Sequence, residues 1–191
     1  MNHPLRRSIA AAAIMAVVLT IAPRTAKAAG EFQADVGLGG QGSSWRGDGS
    51  GFGALKLGFR FADVVAPYFL FRFGYANTDQ RFLTHLSIGV QAWLKIKTVR
   101  PYARLGFVHQ HEESWSSVKA EPFGTIFGVG DGIRHRGGFE GALGADFPFA
   151  KVKSWQFHFL VEALITGFPD TGKGPPIYAG GTAGLGFNYS L

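Results

Sequence analysis

Ile177-Tyr178-Ala179-Gly180-Gly181-Thr182-Ala183-Gly184-Leu185-Gly186-Phe187-Asn188-Tyr189-Ser190-Leu191 closes the chain, and its alternation decides the fold. Counted back from the end, Leu191, Tyr189, Phe187, Leu185 and Ala183 are apolar, while Ser190, Asn188, Gly186, Gly184 and Thr182 between them are small or polar. A period of two with one greasy face and one slim polar face is a β-strand. Its partner strands are expected upstream.

The preceding chain supplies seven of them. Candidate strands run over Glu31–Gly40, Gly51–Phe61, Val65–Tyr75, Phe82–Leu94, Arg100–Gln110, Gly138–Phe149 and Trp155–Thr166, with Ile177–Ser190 as the eighth. Each is near the ten or so residues that a tilted strand needs to cross a bilayer. The gaps alternate in character. Ala62–Val64, Lys95–Val99 and Ala150–Ser154 are short, whereas Gln41–Ser50, Ala76–Arg81, His111–Gly137 and Gly167–Pro176 are mostly longer and rich in Gly, Asp, Ser and Pro. Tight turns on one side and long loops on the other are the asymmetry of an up-and-down membrane barrel, with both termini on the short-turn, periplasmic side.

One strand face carries no charge. It holds Phe32, Ala34, Val36 and Leu38, then Leu55, Leu57 and Phe59, then Phe69, Phe71 and Phe73, and continues through Leu86, Ile88, Leu105, Phe107, Leu143, Phe159 and Ile165. The other face collects Gln33, Asp35, Lys56, Arg60, Arg72, His85, Gln91, Arg104, Glu140, Asp146, His158 and Glu162. A soluble lipocalin-like barrel would turn the apolar face inward. Two features favour the inverse arrangement. The polar face is dense in glycine (Gly37, Gly39, Gly58, Gly74, Gly89, Gly106, Gly144, Gly180, Gly184, Gly186). Glycine weakens a water-facing strand, but in a narrow lumen it leaves gaps opposite long Arg and Lys side chains. The apolar face also carries Phe, Tyr and Trp near strand ends, as an interfacial girdle does. The expected fold is therefore all-β, an eight-stranded antiparallel up-and-down transmembrane β-barrel.

The amino-terminal 28 residues give a matching address. Arg6 and Arg7 precede an apolar run from Ile9 to Ala22, and Ala26-Lys27-Ala28 follows. This pattern predicts a cleaved secretory signal peptide over 1–28, leaving a barrel domain over 29–191. Cleavage would remove Arg6, Arg7, Arg24 and Lys27, which takes the 19 Lys and Arg to 15 against 13 Asp and Glu, or +2. The basic balance of the whole chain is thus a targeting feature and gives no support to nucleic-acid binding. With no cysteine there is neither a disulfide nor thiolate chemistry.

Several stretches resemble a known family. The closing strand, Val65-Ala66-Pro67-Tyr68-Phe69 and Arg100-Pro101-Tyr102-Ala103-Arg104-Leu105-Gly106 look like the strands of the small outer-membrane barrels, the OmpA-like transmembrane domain and the OmpX/Ail-like proteins. In that family the last strand carries alternate aromatics that the barrel-assembly machinery reads, which here implies an insertion signal at Phe187, Tyr189 and Leu191. The family usually ends on Phe or Trp, whereas this chain ends on Leu. The resemblance spans the whole mature chain as a pattern. It implies a monomer in the outer membrane of a Gram-negative bacterium, surrounded by lipid and lipopolysaccharide, with an extracellular partner still to be named.

Within the lumen, the acids Asp35, Glu140, Asp146 and Glu162 balance the bases Lys56, Arg60, Arg72 and Arg104, with His85 and His158 as hydrogen-bonding members. Such a set reads as an ion-pair network plugging the barrel. A narrow or gated pore for small solutes is the alternative reading.

Three constellations bear on chemistry. Thr84-His85-Leu86-Ser87 resembles the His-x-Ser of the lipid A deacylase PagL, but that motif continues Asn-Ala or Asn-Gly where this chain has Ile88-Gly89, and the pair faces the lumen. A barrel hydrolase is accordingly a distant alternative, and the reading is of a protein that is not an enzyme and needs no cofactor. His109-Gln110-His111-Glu112-Glu113 places two imidazoles on one strand face, where His109, His111, Glu112 and His135 offer a divalent metal three or four ligands. The alternative is a solvated rim. Gly128-Val129-Gly130-Asp131-Gly132 lacks the Lys-Ser/Thr of a phosphate loop and reads as turn chemistry, and Arg134-His135-Arg136 nearby is placed to meet lipopolysaccharide phosphates.

Overall fold

In the computed structural model the described residues are 30–191, except 62, 63, 95, 97, 131 and 170–173, so the expected signal peptide lies outside them. Eight strands close on themselves in sequence order: β1 (Glu31–Gly42), β2 (Gly49–Arg60), β3 (Val65–Ala76), β4 (Arg81–Trp93), β5 (Arg100–Ser114), β6 (Arg134–Val152), β7 (Trp155–Gly167) and β8 (Ile177–Ser190). Every pairing is antiparallel, and β1 against β8 completes the circle with Glu31 opposite Ser190. This is the up-and-down transmembrane barrel that the alternation predicts. Closure leaves no strand edge with unpaired N–H and C=O groups, which a strand in hydrocarbon requires.

The faces are inside-out. Leu38, Ile88, Leu105, Leu143 and Ile165 project from the wall, whereas Gln33, Asp35, Arg72, Gln91, Arg104 and Glu140 are buried in the lumen. Several glycines of the polar face make room for aromatic side chains, a different tenant from the Arg and Lys side chains expected there, and others for the backbone of a neighbouring strand. A methyl group on Gly39 would strike the Phe52 ring at 2.6 Å, one on Gly74 would meet Phe52 Cβ at 2.8 Å, and one on Gly89 would lie 2.8 Å from Tyr68 Oη. At Gly144 it would meet Tyr102 at 2.5 Å. Phe52, Tyr68, Trp93 and Tyr102 thus form an inward aromatic set, with Phe52, Tyr68 and Tyr102 seated against glycines.

β5 and β6 outrun the expected strands. Their ladder continues to Glu112 opposite Arg134, so His111, His135 and Arg136 belong to the wall. The shortened connection folds into α1 (Trp115–Ala120) and α2 (Pro122–Phe127). Ser114 caps α1 by accepting a hydrogen bond from the Ser117 amide at 3.3 Å. Trp115 stacks on Phe82 at 4.9 Å, which ties α1 to the outer side of β4. Nearer the termini, the β6–β7 register shifts between Pro148 and Ala150, as expected where a proline cannot donate to the ladder.

Leu105 sits mid-strand on the outer wall, 67% exposed. Leu105→Arg should lower folding stability in lipid vesicles by about 2–4 kcal/mol in urea titrations, because the guanidinium would meet hydrocarbon. An outer face that met water would tolerate the same change within about 0.5 kcal/mol.

Candidate functional site: a filled lumen and a histidine-bearing mouth

At the middle of the lumen, Glu140 of β6 has no solvent exposure and is gripped by Arg72 from β3 and Arg104 from β5. Arg104 also forks onto Glu162 of β7, donating from Nε and Nη2 at 2.6 Å each. Thr166 Oγ1 donates to Glu140 at 3.0 Å, and His85 Nε2 lies 3.4 Å from the same carboxylate. Such burial is tolerable only because each carboxylate is matched by a bidentate or multiply bonded guanidinium.

Towards the termini a second layer centres on Asp35. Lys56 Nζ, His158 Nε2 and Gln33 Nε2 each reach it at 2.9 Å, and Lys56 also donates to Gln91 at 2.7 Å. Arg60 pairs with Glu31, an acid the sequence reading did not include. Asp146 stands apart: it accepts from Trp93 Nε1 at 2.9 Å and makes no ion pair with a base among the described residues. Asp35, Lys56, Arg60, Arg72, Arg104, Glu140 and Glu162 therefore join ion pairs, His85 and His158 lie beside Glu140 and Asp35, and Asp146 joins through an indole instead.

A third layer at the loop mouth was missed from sequence. Glu112 receives Arg81 at 2.5 Å, Arg136 at 3.0 Å and Arg134 as well. Arg81 bridges on to Asp48 at 2.6 Å, and Tyr178 Oη donates to the same carboxylate at 2.8 Å. Glu112 thus points into the barrel, on the opposite side of β5 from His109 and His111, and its expected place among metal ligands is corrected. Arg134 and Arg136 likewise turn inward to Glu112, rather than standing free at the rim.

The three histidines do converge. His111 pairs across the ladder with His135, and His109 leans diagonally towards the same ring. His135 Nδ1 lies 3.3 Å from His109 Nε2, and one ring nitrogen of each residue falls within 4.8 Å of the others. His85 and Ser87 are both buried in the lumen, away from the lipid side of the wall. Gly128, Gly130 and Gly132 have φ of +68°, +141° and +80°, left-handed backbone suited to turns; Asp131 of that stretch lies outside the described residues. The aromatics of the closing strand face outward, where Trp155 packs at 5.0 Å from Phe187 and 4.8 Å from Tyr189, and Leu191 is exposed.

Little space remains inside. A vestibule of about 220 Å³ opens at the terminal end beside Glu31, Arg60, Trp93, Arg100 and Gln156. Above it, the cavity between Asp35, Lys56, Arg72, Arg104 and Glu162 measures about 20 Å³, room for one water.

No protein-family model matches the chain, and no curated protein matches its sequence. Solved structures do. Neisserial surface protein A (NspA) shares 14% identity over 85% of this chain and 97% of its own, with a TM-score of 0.56. Ail, the attachment invasion locus protein of Yersinia pestis, shares 16% over 85% and 99%, with a TM-score of 0.49. The outer membrane enzyme PagL shares 13% over 84% and 99%, with a TM-score of 0.43. At these identities the likeness concerns the fold, and the similarity to NspA carries it: the chain has the architecture of the small eight-stranded outer-membrane barrels.

Glu140→Gln should destabilise the barrel by about 3–5 kcal/mol, since two buried guanidiniums lose their shared counter-charge. Urea unfolding in detergent or vesicles measures it. Adding Arg72→Met to that variant should recover part of the loss, whereas Glu31→Gln at the terminal rim should cost clearly less.

Proposed function

We propose that the protein is an outer-membrane barrel of a Gram-negative cell, with a closed lumen and a structural or surface-interaction role centred on its loop end. One observation carries the reading. The mid-lumen cavity has a volume of about 20 Å³ and is walled by the paired charges of Asp35, Lys56, Arg72, Arg104 and Glu162. A hydrated ion finds no path there unless several ion pairs break together.

The loop end supplies the contrasting surface. Trp115, Phe123, Phe127 and Val129 are exposed on and beside the two short helices. Aromatic and aliphatic side chains at that height suit the interface between outer-leaflet lipid and water. Lipid and lipopolysaccharide are therefore the immediate neighbours in this reading, and the barrel-assembly machinery is met during insertion through the outward Phe187 and Tyr189. Catalysis has no part in the proposal, because His85 and Ser87 are buried in the lumen, away from the lipid side of the wall.

Planar-bilayer recording tests the closed lumen. The purified barrel should insert without discrete conductance steps, and steady ohmic steps from wild-type protein would replace this reading with that of a pore. Lipid A from cells with and without expression should give the same mass spectrum; loss of an acyl chain would instead establish a barrel hydrolase.

A further inference from the structure

The outer side of β5 and β6 carries a cluster that the closed lumen does not use. Outward positions on β5 run Leu105, Phe107, His109, His111, Glu113, and on β6 they include Phe139, Gly137 and His135. Phe107 and Phe139 meet edge to face at 5.5 Å, so the histidines begin one step beyond an apolar pair. The ladder sets His111 directly opposite His135 and sets His109 opposite Gly137. With no side chain on Gly137, the His109 ring is free to lean across to His135. Their ring centroids are 5.4 Å apart, and each lies 4.7 Å from that of His111.

We propose that His109, His111 and His135 form a site for a divalent transition-metal ion of the zinc class on the outer wall of the barrel. Tetrahedral coordination with Zn–N of about 2.0–2.1 Å separates two ligand nitrogens by about 3.3 Å. The His109 Nε2 and His135 Nδ1 atoms are 3.3 Å apart. The remaining nitrogen reaches coordination by a small ring movement from within its 4.8 Å limit. A hydrogen bond between two imidazoles explains one edge of this triangle but not the third ring. His111 is 2% exposed, and its Nδ1 has no hydrogen-bond partner among the described residues. Gly128, at φ +68°, lies over that ring so closely that a methyl group there would sit 2.5 Å from Nε2. The loop is thus a roof over the ring.

A second orphan accompanies it. Glu113 stands two residues further along the same face, about 7 Å away by strand geometry. It is 1% exposed, and both carboxylate oxygens lack partners among the described residues. A buried carboxylate of this kind gains from a cation held nearby. Imidazole selects zinc, copper or nickel over calcium and magnesium, which prefer oxygen. Three histidines leave a fourth position for water or an anionic oxygen.

The site is independent of the lumenal reading, since conductance reports on one and metal uptake on the other. The test uses the full chain, expressed with its own amino terminus, purified from the membrane in detergent and stripped with chelator. Titration with ZnCl₂ in a calorimeter should show a single ion bound at micromolar affinity or tighter, with no heat from MgCl₂. His109→Ala and His135→Ala, both at exposed positions, should each weaken zinc binding about tenfold or more. Zinc should also raise the unfolding temperature of wild type but not of the double variant, with the heat-dependent gel shift showing that each protein is folded. No zinc heat from folded wild type would overturn the proposal, and so would equal uptake by the folded double variant.

Discussion

The Glu140 carboxylate, enclosed between Arg72 and Arg104, is the constraint around which the interior is arranged. A barrel whose outer wall meets hydrocarbon must keep its polar groups inside, and eight strands leave an interior barely wider than the side chains themselves. Water cannot screen charges there, so the bases find opposite charges within hydrogen-bonding reach, and Asp146 leans on the Trp93 indole instead. Arginine suits the task, because a planar guanidinium bonds carboxylates along its edge and stacks through its faces. Arg72 lies 5.0 Å from the Phe52 ring, Arg60 5.3 Å from Trp93 and Arg104 5.5 Å from Tyr68. The lumen is therefore an alternation of carboxylate, guanidinium and ring. Gly39, Gly89 and Gly106 are notches beside the Phe52 and Tyr68 rings.

The broad plan was legible because lipid imposes a strict period. Where the outer face meets hydrocarbon, as at Leu55-Lys56-Leu57 or Phe71-Arg72-Phe73, the outward residues are uncharged and mostly apolar while the charges gather on the inward face, and strand, face and register follow. The rule weakens where lipid ends. Beyond Phe107 and Phe139 the outward residues become His109, His111 and His135, so hydropathy stops reporting a strand although the ladder continues to Glu112 and Arg134. The same loss of signal hid the mouth cluster of Asp48, Arg81, Glu112 and Arg136. Parity alone would have placed Glu112, since an even-numbered residue on β5 shares the face of Arg104 and Gln110. Chemistry at a rim favours reading carboxylates as ligands, and that preference overrode the count.

Interior aromatics were illegible for another reason. Tyr68, Trp93 and Tyr102 occupy inward positions but score as apolar or amphipathic, so hydropathy assigns them to neither face. Their place is set by hydrogen bonds instead: Trp93 to Asp146 at 2.9 Å and Tyr102 to Glu162 at 3.2 Å. A buried indole or phenol keeps its polar tip satisfied, and charged groups across the lumen supply the partners, Arg104 donating to Tyr68 Oη at 3.3 Å.

A wall one residue thick lets a single strand serve two compartments. Along the outer half of β5, Val108, Gln110 and Glu112 point inward while His109, His111 and Glu113 point outward. The inward set is saturated: Glu112 alone holds three arginines, and Gln110 donates to it at 3.0 Å. The outward set is not, since His111 Nδ1 and both Glu113 oxygens have no partner among the described residues. A slip of one residue would exchange the two sets, setting histidines against the buried arginines and Glu112 against the aromatic wall. The saturated inner ladder therefore fixes the register, and that register in turn holds the three histidines together on the outside. Stability inside the barrel and reactivity outside it are two consequences of one alternation.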